Sequence, residues 1–349
     1  MKVLIIGNGF DVANGLPTKY SQFLDICKAV DSCGRISDKS RIRLCDLSDD
    51  DKNKLANFYT TVGQDIYNEF LDLSKHNLFI RHFLDRGKII GDKWLNFEEE
   101  IQNFIERVLA EKNNAPNELF RTTHIKTLKD HINSTNFLGK TYRDLFEMIR
   151  EQHKNLIRLL EIYMDGYVNR LPLNKIDGFK KDFYNHILSF NYTDTYSEKY
   201  EPELCSCCYI HGQAFIDKTK QCQMVLGFDN KQKYPVITDI EMLPYVKFFQ
   251  RLDLKTPADY MEWLKVMALE DENLVDIYGH SLAFSDADII SDFIRTPRTK
   301  TRIYYYDELD RYDKLRNLTL ILGTKDTVEM ISGKRCIEFV PTTAYSTKL

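Results

Sequence analysis

The chain has 349 residues, 43% of them hydrophobic and 12% aromatic, with a formal net charge of -4. That length can bury a sizeable core in one large domain or two, and the slight acidity removes any general attraction to nucleic acid or to membrane surfaces. There is no run of about 18 apolar residues, so no transmembrane helix is expected. The apolar opening is too short for a signal peptide and ends without a cleavage pattern. Eight cysteines without a secretory signal read as reduced thiols, and a cytoplasmic location is expected.

The first element is a short apolar run, residues 3–6, too brief for a helix and read as a buried parallel strand. It stops at Gly7-Asn8-Gly9, where two glycines free the backbone for positive φ and close approach, and a helix is expected over residues 20–30. Strand, glycine turn and helix would make an anion-binding corner, because free N–H groups and the helix dipole both favour phosphate. The same turn serves tight packing alone in many α/β proteins. Residues 31–53 are polar, include Asp49-Asp50-Asp51, and read as a solvated connection.

From Leu55 to Tyr167 apolar residues recur at helical spacing, among them Phe58, Ile66 and Phe70, then Leu145, Phe146, Ile149, Leu156 and Leu160. Pro116 is expected to break this block in two. Strands return with residues 184–190, running into Asn191-Tyr192-Thr193-Asp194, and with 208–210, ending at His211-Gly212. Residues 224–226 read as a further strand ending at Gly227-Phe228-Asp229, and 273–278 as one ending at Gly279-His280-Ser281-Leu282. Residues 241–271 and 286–294 read as helical, 302–306 and 318–322 as strands. The alternation predicts an α/β fold with a parallel sheet and a large helical insertion, divided as residues 1–53, 54–172 and 173–349.

Polar residues stand just after the strand ends, which is the edge where open α/β sheets bind ligands. They are Gly7, Asn8, Gly9 and Asp11; Asn191 and Asp194; His211; and Gly279, His280, Ser281 and Asp286, with Trp94, Phe97, Glu98 and Glu100 added by the helical block. Each has an ordinary explanation. Asn191, Asp194, Ser281 and Asp286 suit turns or helix caps. Trp94 and Phe97 suit a core, Glu98 and Glu100 a solvated face, and His211 a satisfied loop histidine. Converging on one crevice, they could do acid–base chemistry near neutral pH.

Residues 7–17, Gly-Asn-Gly-Phe-Asp-Val-Ala-Asn-Gly-Leu-Pro, resemble the sirtuin NAD-binding opening Gly-x-Gly-x-Ser-x-x-x-Gly-Ile-Pro. Asn191 resembles that family's catalytic-loop Asn, His211-Gly212 its catalytic His-Gly, and residues 279–282 its Gly-Thr-Ser-Leu loop. A closer resemblance is to the AbiH family of phage abortive-infection proteins. Residues 7–20, the Trp94 to Glu98 element, residues 190–193, His211-Gly212 and residues 278–286 all look like its landmarks. The departures from the sirtuin pattern are Asp11 in place of Ser and Thr193 where Asp is usual, with Asp194 one position on. The paired Cys-x-x-Cys zinc motifs of deacetylases are missing after His211; Cys205, Cys207, Cys208 and Cys222 fit one tetrahedral zinc poorly, so no metal is expected.

The resemblance implies a sirtuin-like, Rossmann-type core and a defence effector that hydrolyses NAD+ at the nicotinamide–ribose bond. Asn191, His211 and Asp194 would be catalytic. Gly7, Asn8, Gly9, Phe10, Asp11, Pro17, Gly279, His280, Ser281 and Asp286 would bind the NAD+. An operon-encoded or phage-derived activator and a homo-oligomer are expected; a membrane or nucleic-acid partner is not. The alternative is a catalytically silent nucleotide sensor acting through a partner protein. A third reading, a metal-dependent nuclease, would need Asp11, Glu98, Asp194 and Asp286 to meet.

Overall fold

The computed structural model describes residues 1–90, 96–114, 123–139, 141–176, 179, 181–203, 205–220, 223–228 and 239–344. Its centre is a six-stranded sheet in which every pair is parallel. The strands are β1 (Lys2–Ile6), β2 (His186–Ser189), β3 (Ser206–Tyr209), β4 (Asn273–Tyr278), β5 (Thr299–Tyr305) and β6 (Ile337–Pro341), in the order β3-β2-β1-β4-β5-β6. β1 therefore lies mid-sheet, and the direction of winding reverses between β1 and β4. Register aligns the carboxyl ends: Ile6 pairs with both Ser189 and Tyr278, and Ser189 with Tyr209. Gly7, Phe190, Ile210 and Gly279 consequently leave the sheet at one edge.

Both faces of the sheet are covered, which is why its strands read as unbroken apolar runs. Val3, Ile5, Leu188, Val275, Ile277 and Ile303 pack against three helices, α10 (Tyr260–Met267), α11 (Ala287–Arg295) and α12 (Glu308–Leu322). On the other face Leu4, Ile6 and Ile187 meet an aromatic layer of Phe10, Tyr184, Tyr196, Tyr200, Tyr278 and Tyr304. Each such side chain, fully buried, contributes about 1.5–3 kcal/mol.

Between β1 and β2 the chain forms α1 (Asn8–Ala13), α2 (Tyr20–Cys33), α3 (Asp49–Val62), α4 (Gln64–Ser74), α5 (Leu78–Ile90), α6 (Phe97–Asn114), α7 (Lys126–Thr135) and α8 (Tyr142–Met164). α2 to α8 share a core that includes Phe23, Phe58, Phe70, Phe79, Phe83, Phe97, Phe104 and Tyr163. After β3 come α9 (Lys247–Leu254) and α10, and after α12 the short α13 (Thr324–Val328).

Several expectations are corrected. The helix expected over residues 20–30 is α2, and a further short helix, α1, begins directly at the glycine turn. Asp49-Asp50-Asp51 form the first turn of α3, capped by Ser48 accepting from the Asp51 N–H, where acidic residues suit the helix dipole. Residues 224–226 form no strand of the sheet; Val225 N–H donates to the His211 carbonyl at 2.9 Å. Residues 318–322 end α12, a helix rather than a strand. β6 is an additional strand. Cys33 and Cys45 are joined as a disulfide (Cα–Cα 5.2 Å), so the reading of all eight cysteines as thiols fails for this pair. Gly34, with φ +67°, turns the chain back after α2. Trp94, Pro116, Cys222 and Asp229 lie outside the described residues. Among the described residues no helix is long and apolar enough to cross a membrane.

Candidate functional site

At the carboxyl edge the glycines first serve backbone contact. Gly7 N–H donates to the Tyr278 carbonyl (3.1 Å) and Gly9 N–H to the Gly279 carbonyl (2.8 Å). A Cβ on Gly9 would stand 2.7 Å from Gly279 Cα, and one on Gly279 2.1 Å from Phe10 N. The two loops touch as bare backbone, so the N–H groups of Gly7 and Gly9 are already engaged and do not form an open phosphate cradle. α1, at six residues, also gives this corner little dipole to offer. The tight-packing alternative describes these glycines better than the phosphate corner does.

Beside this contact lies a buried polar cluster. His211 Nε2 is 3.0 Å from Asp286 Oδ1, and His280 Nε2 is 3.4 Å from Asp286 Oδ2. Lys247 Nζ donates to Asp286 Oδ1 (3.2 Å), Glu98 Oε1 (2.8 Å) and Ser285 Oγ (3.2 Å), and lies 3.5 Å from His211 Nε2. Ser285 in turn donates to Glu98 Oε2 at 3.1 Å. Four separate pieces of chain build this. His211 and His280 follow β3 and β4, and Asp286 precedes α11. Glu98 sits in the first turn of α6, where Asn96 Oδ1 accepts from its N–H. Phe97, stacked between Tyr20 (4.1 Å) and Phe83 (4.0 Å), pins that turn. Lys247 opens α9, fixed by its N–H donating to the Phe228 carbonyl (2.9 Å).

The charges follow from burial and pairing. Burial alone would raise the Asp286 carboxyl, but Lys247 and His211 outweigh it and hold it well below the usual carboxylate range. Burial alone would likewise neutralise Lys247; Asp286 and Glu98 overcome it and keep the ammonium charged. For His211, burial first and the Lys247 charge second push the pKa down to about 4, against the pull of Asp286. His211 is thus neutral at pH 7. Its Nε2–H is spent on Asp286, and Nδ1, buried and without a partner among the described residues, keeps the lone pair. His280 is fixed too, since its Nδ1 accepts from Leu282 N–H at 3.0 Å. The Phe190 ring lies edge-on to both imidazoles.

Asp11 occupies a second, adjoining position. It is 1% exposed, and Thr193 donates to its Oδ2 at 2.6 Å, while Oδ1 has no partner among the described residues. Burial pushes its pKa up to about 6, opposed by the hydrogen bond from Thr193. A carboxyl so placed repels a diphosphate and suits a hydroxyl donor. Its folded pKa exceeds its unfolded one, so its contribution to stability is complete below pH 3.8 and is lost as pH rises through about 6. Asp11→Asn, an isostere that cannot ionise, is expected to match the wild type at pH 4 and exceed it by about 3 kcal/mol at pH 8. Thermal melts at the two pH values check this, and a variant less stable at pH 8 contradicts the assignment.

The remaining expected site residues are placed as follows. Asn191 is buried, and its Nδ2 donates to the Gly7 carbonyl at 3.1 Å, tying β2 to β1. Asp194 is half-buried before a π-type turn, where its carbonyl accepts from Glu198 N–H at 2.9 Å; no described contact links it to His211. Phe10 is core, packed with Phe179, Tyr200 and Tyr278. The Pro17 carbonyl accepts from Tyr163 OH at 2.7 Å. Ser281 is exposed, its carbonyl taken by Asn317. Asn8 lies in α1 between the two engaged glycines. The four carboxylates of the nuclease reading do not gather: Glu98 and Asp286 meet on Lys247, Asp11 sits with Thr193 and Asp194 stands at its own turn. Among the described residues no group of three or more His, Cys, Asp and Glu is arranged to hold a metal ion. Lys247 and Ser285 are the participants that sequence reasoning missed. The one available signal was a lysine inside the apolar run Val246-Lys247-Phe248-Phe249.

A family model described as bacteriophage abortive infection AbiH matches residues 3–307. The match runs from β1 past the end of β5 and includes every side chain of the buried cluster. No curated protein and no solved structure matches the chain.

Proposed function

Because this chain belongs to the AbiH family, whose members act in abortive infection by phage, we propose that it does so by hydrolysing NAD+ at the nicotinamide–ribose bond beside His211. The observation that carries the reading is the convergence of His211, His280 and Asp286 at the carboxyl edge of a sheet ordered β3-β2-β1-β4-β5-β6. That order is the one common to dinucleotide-binding sheets, whose ligands lie where the winding reverses. The sirtuin-like order of motifs along the chain supports the same fold.

The buried atoms left for a ligand fit a sugar. His211 Nδ1 and Asp11 Oδ1 are acceptors, and the Thr18 hydroxyl is also without a partner among the described residues. The two groups of residues adjoin, since Ala214 N–H donates to the Tyr192 carbonyl at 2.9 Å and so ties the His211 loop to the turn that holds Asp11. A ribose diol offers the matching donors; the diphosphate is not served by Gly7 and Gly9.

In the reaction the C1′–N bond breaks and its electron pair leaves with neutral nicotinamide. Water oxygen bonds to C1′, and the proton that water loses passes to His211 Nδ1 and then to solvent. The products are ADP-ribose, nicotinamide and one proton. Asp286 holds the imidazole in the tautomer that leaves Nδ1 free. Asn191, at the neighbouring strand end, would orient the water or the leaving amide. Asp286, negative beside the reaction centre, would stabilise the positive ribose that develops.

Metabolite measurements on phage-infected cells, with purified protein alongside, test this. Wild type is expected to deplete NAD+ and release nicotinamide, and His211→Ala to lose about 10²–10⁴-fold of that rate. No nicotinamide release from either source, or full activity in His211→Ala, overturns the reading. Calorimetric binding of NAD+ or ADP-ribose without turnover would make the protein a sensor acting through a partner.

A further inference from the structure

We propose that Lys247 is a positioning residue that keeps His211 neutral with Nδ1 free, and that Glu98 places it, so that the helical block reaches the reacting site through one ion pair. The inference rests on the reading of His211 as the proton acceptor. Nothing in the sequence motifs points to this lysine, yet its side chain is 1% exposed and its ammonium touches every charged group of the cluster. Such a buried charge survives only with close counter-ions, here Asp286 and Glu98. Without Lys247, burial would be the main effect opposing Asp286, whose carboxylate 3.0 Å away draws a proton onto the imidazole. The imidazolium, with both nitrogens protonated, has no lone pair to offer.

The groups that face His211 come from several elements. Asp286 stands before α11, Lys247 and Arg251 are on α9, and His280 follows β4 and shares Asp286. Glu98 on α6 acts through Lys247, and the Phe190 ring closes the side toward β2. Arg251 is itself paired with Asp288 at 2.8 Å. Lys247 is the cation that contacts Asp286, so its removal dominates the local charge. Glu98 has the opposite sign and lies one contact further out. The two substitutions therefore carry opposite expectations for His211, which loosening of the fold would not.

The test is a histidine-ring NMR titration of the full-length protein, which needs no turnover. His211 is expected to titrate at about 4 in the wild type. In Lys247→Met it is expected to rise by about three units, to around neutral pH. In Glu98→Gln, which leaves the lysine charge less compensated, it is expected to fall below the wild-type value. An unchanged titration in either folded variant, or an upward shift in Glu98→Gln, overturns the proposal. Glu98 is 22% exposed at its side chain, so that variant keeps the test decisive even where Lys247→Met fails to fold. If the titrations follow this pattern while wild type releases no nicotinamide, the hydrolase reading falls and the Lys247 assignment stands. If NAD+ is hydrolysed, the acid limb of the rate profile in Lys247→Met moves up with the His211 titration.

Discussion

Gly279→Ala is expected to leave little folded protein, with a loss beyond about 4 kcal/mol in whatever remains soluble. Two costs add. Gly279 has φ +69°, a conformation that costs an alanine about 1–2 kcal/mol. The larger cost is steric: the new Cβ would stand 2.1 Å from Phe10 N and 2.4 Å from Gly9 C. These are backbone atoms, so no side chain can swing aside. Parting the loops would break the Gly9 N–H to Gly279 carbonyl bond and strain the Gly7 N–H to Tyr278 carbonyl bond. Because Gly279 precedes His280 and sets the path to Asp286, any survivor should also lose the geometry of the cluster. Gly323→Ala is the matched control. Its φ is +85°, but a Cβ there meets nothing within 4 Å, so it should cost only the conformational part. Soluble yield and thermal melts of the two variants side by side check the claim. Equal melting points would mean the β1 and β4 loops do not meet as described.

The contrast between those two glycines shows what the sequence could and could not reveal. Gly7 and Gly9 announce a close approach, and the sequence alone suggests a ligand. The partner is instead Gly279, brought in by the pairing of β1 with β4, and no local signal specifies a partner so remote in the chain. The parallel strands were legible because buried strands with covered faces read as apolar runs ended by polar turns. The same rule misassigned residues 318–322 and 224–226, since a short apolar run does not distinguish a strand from a buried helix turn or an extended core segment. β6 escaped because it is an edge strand with Glu338 exposed among its apolar residues. In the site, His211, His280 and Asp286 were visible as polar residues after strand ends. Lys247 was not, because its meaning lies in Glu98 and Asp286, which arrive from α6 and from the loop after β4.

Asp286→Asn is expected to produce the largest combined loss of stability and activity of any isosteric change in the cluster. Among the described residues Asp286 is the acceptor shared by His211, Lys247 and His280. The substitution removes a counter-ion from a lysine that is 1% exposed, and breaking one partner of such a buried pair costs about 3–5 kcal/mol. The sign with pH follows from the depressed folded pKa. The stabilisation is present above the unfolded value of 3.8 and is lost as pH falls through the lower folded one. Wild type and variant should therefore differ at pH 7 and converge in strong acid, where the carboxylate is protonated in both folded and unfolded chains. The chemical loss has a separate origin. An amide can turn its NH2 toward His211 Nε2, which then accepts, and the imidazole proton moves to Nδ1. The lone pair then faces the wrong way, and if the proposed hydrolysis holds a fall on the order of 10³–10⁴-fold in nicotinamide release is expected. Chemical denaturation at pH 7 and in strong acid below the folded pKa, together with nicotinamide release measured at a temperature where the variant is folded, separates the two effects. A folded variant with the wild-type rate would mean that the His211–Asp286 contact plays no part in the reaction.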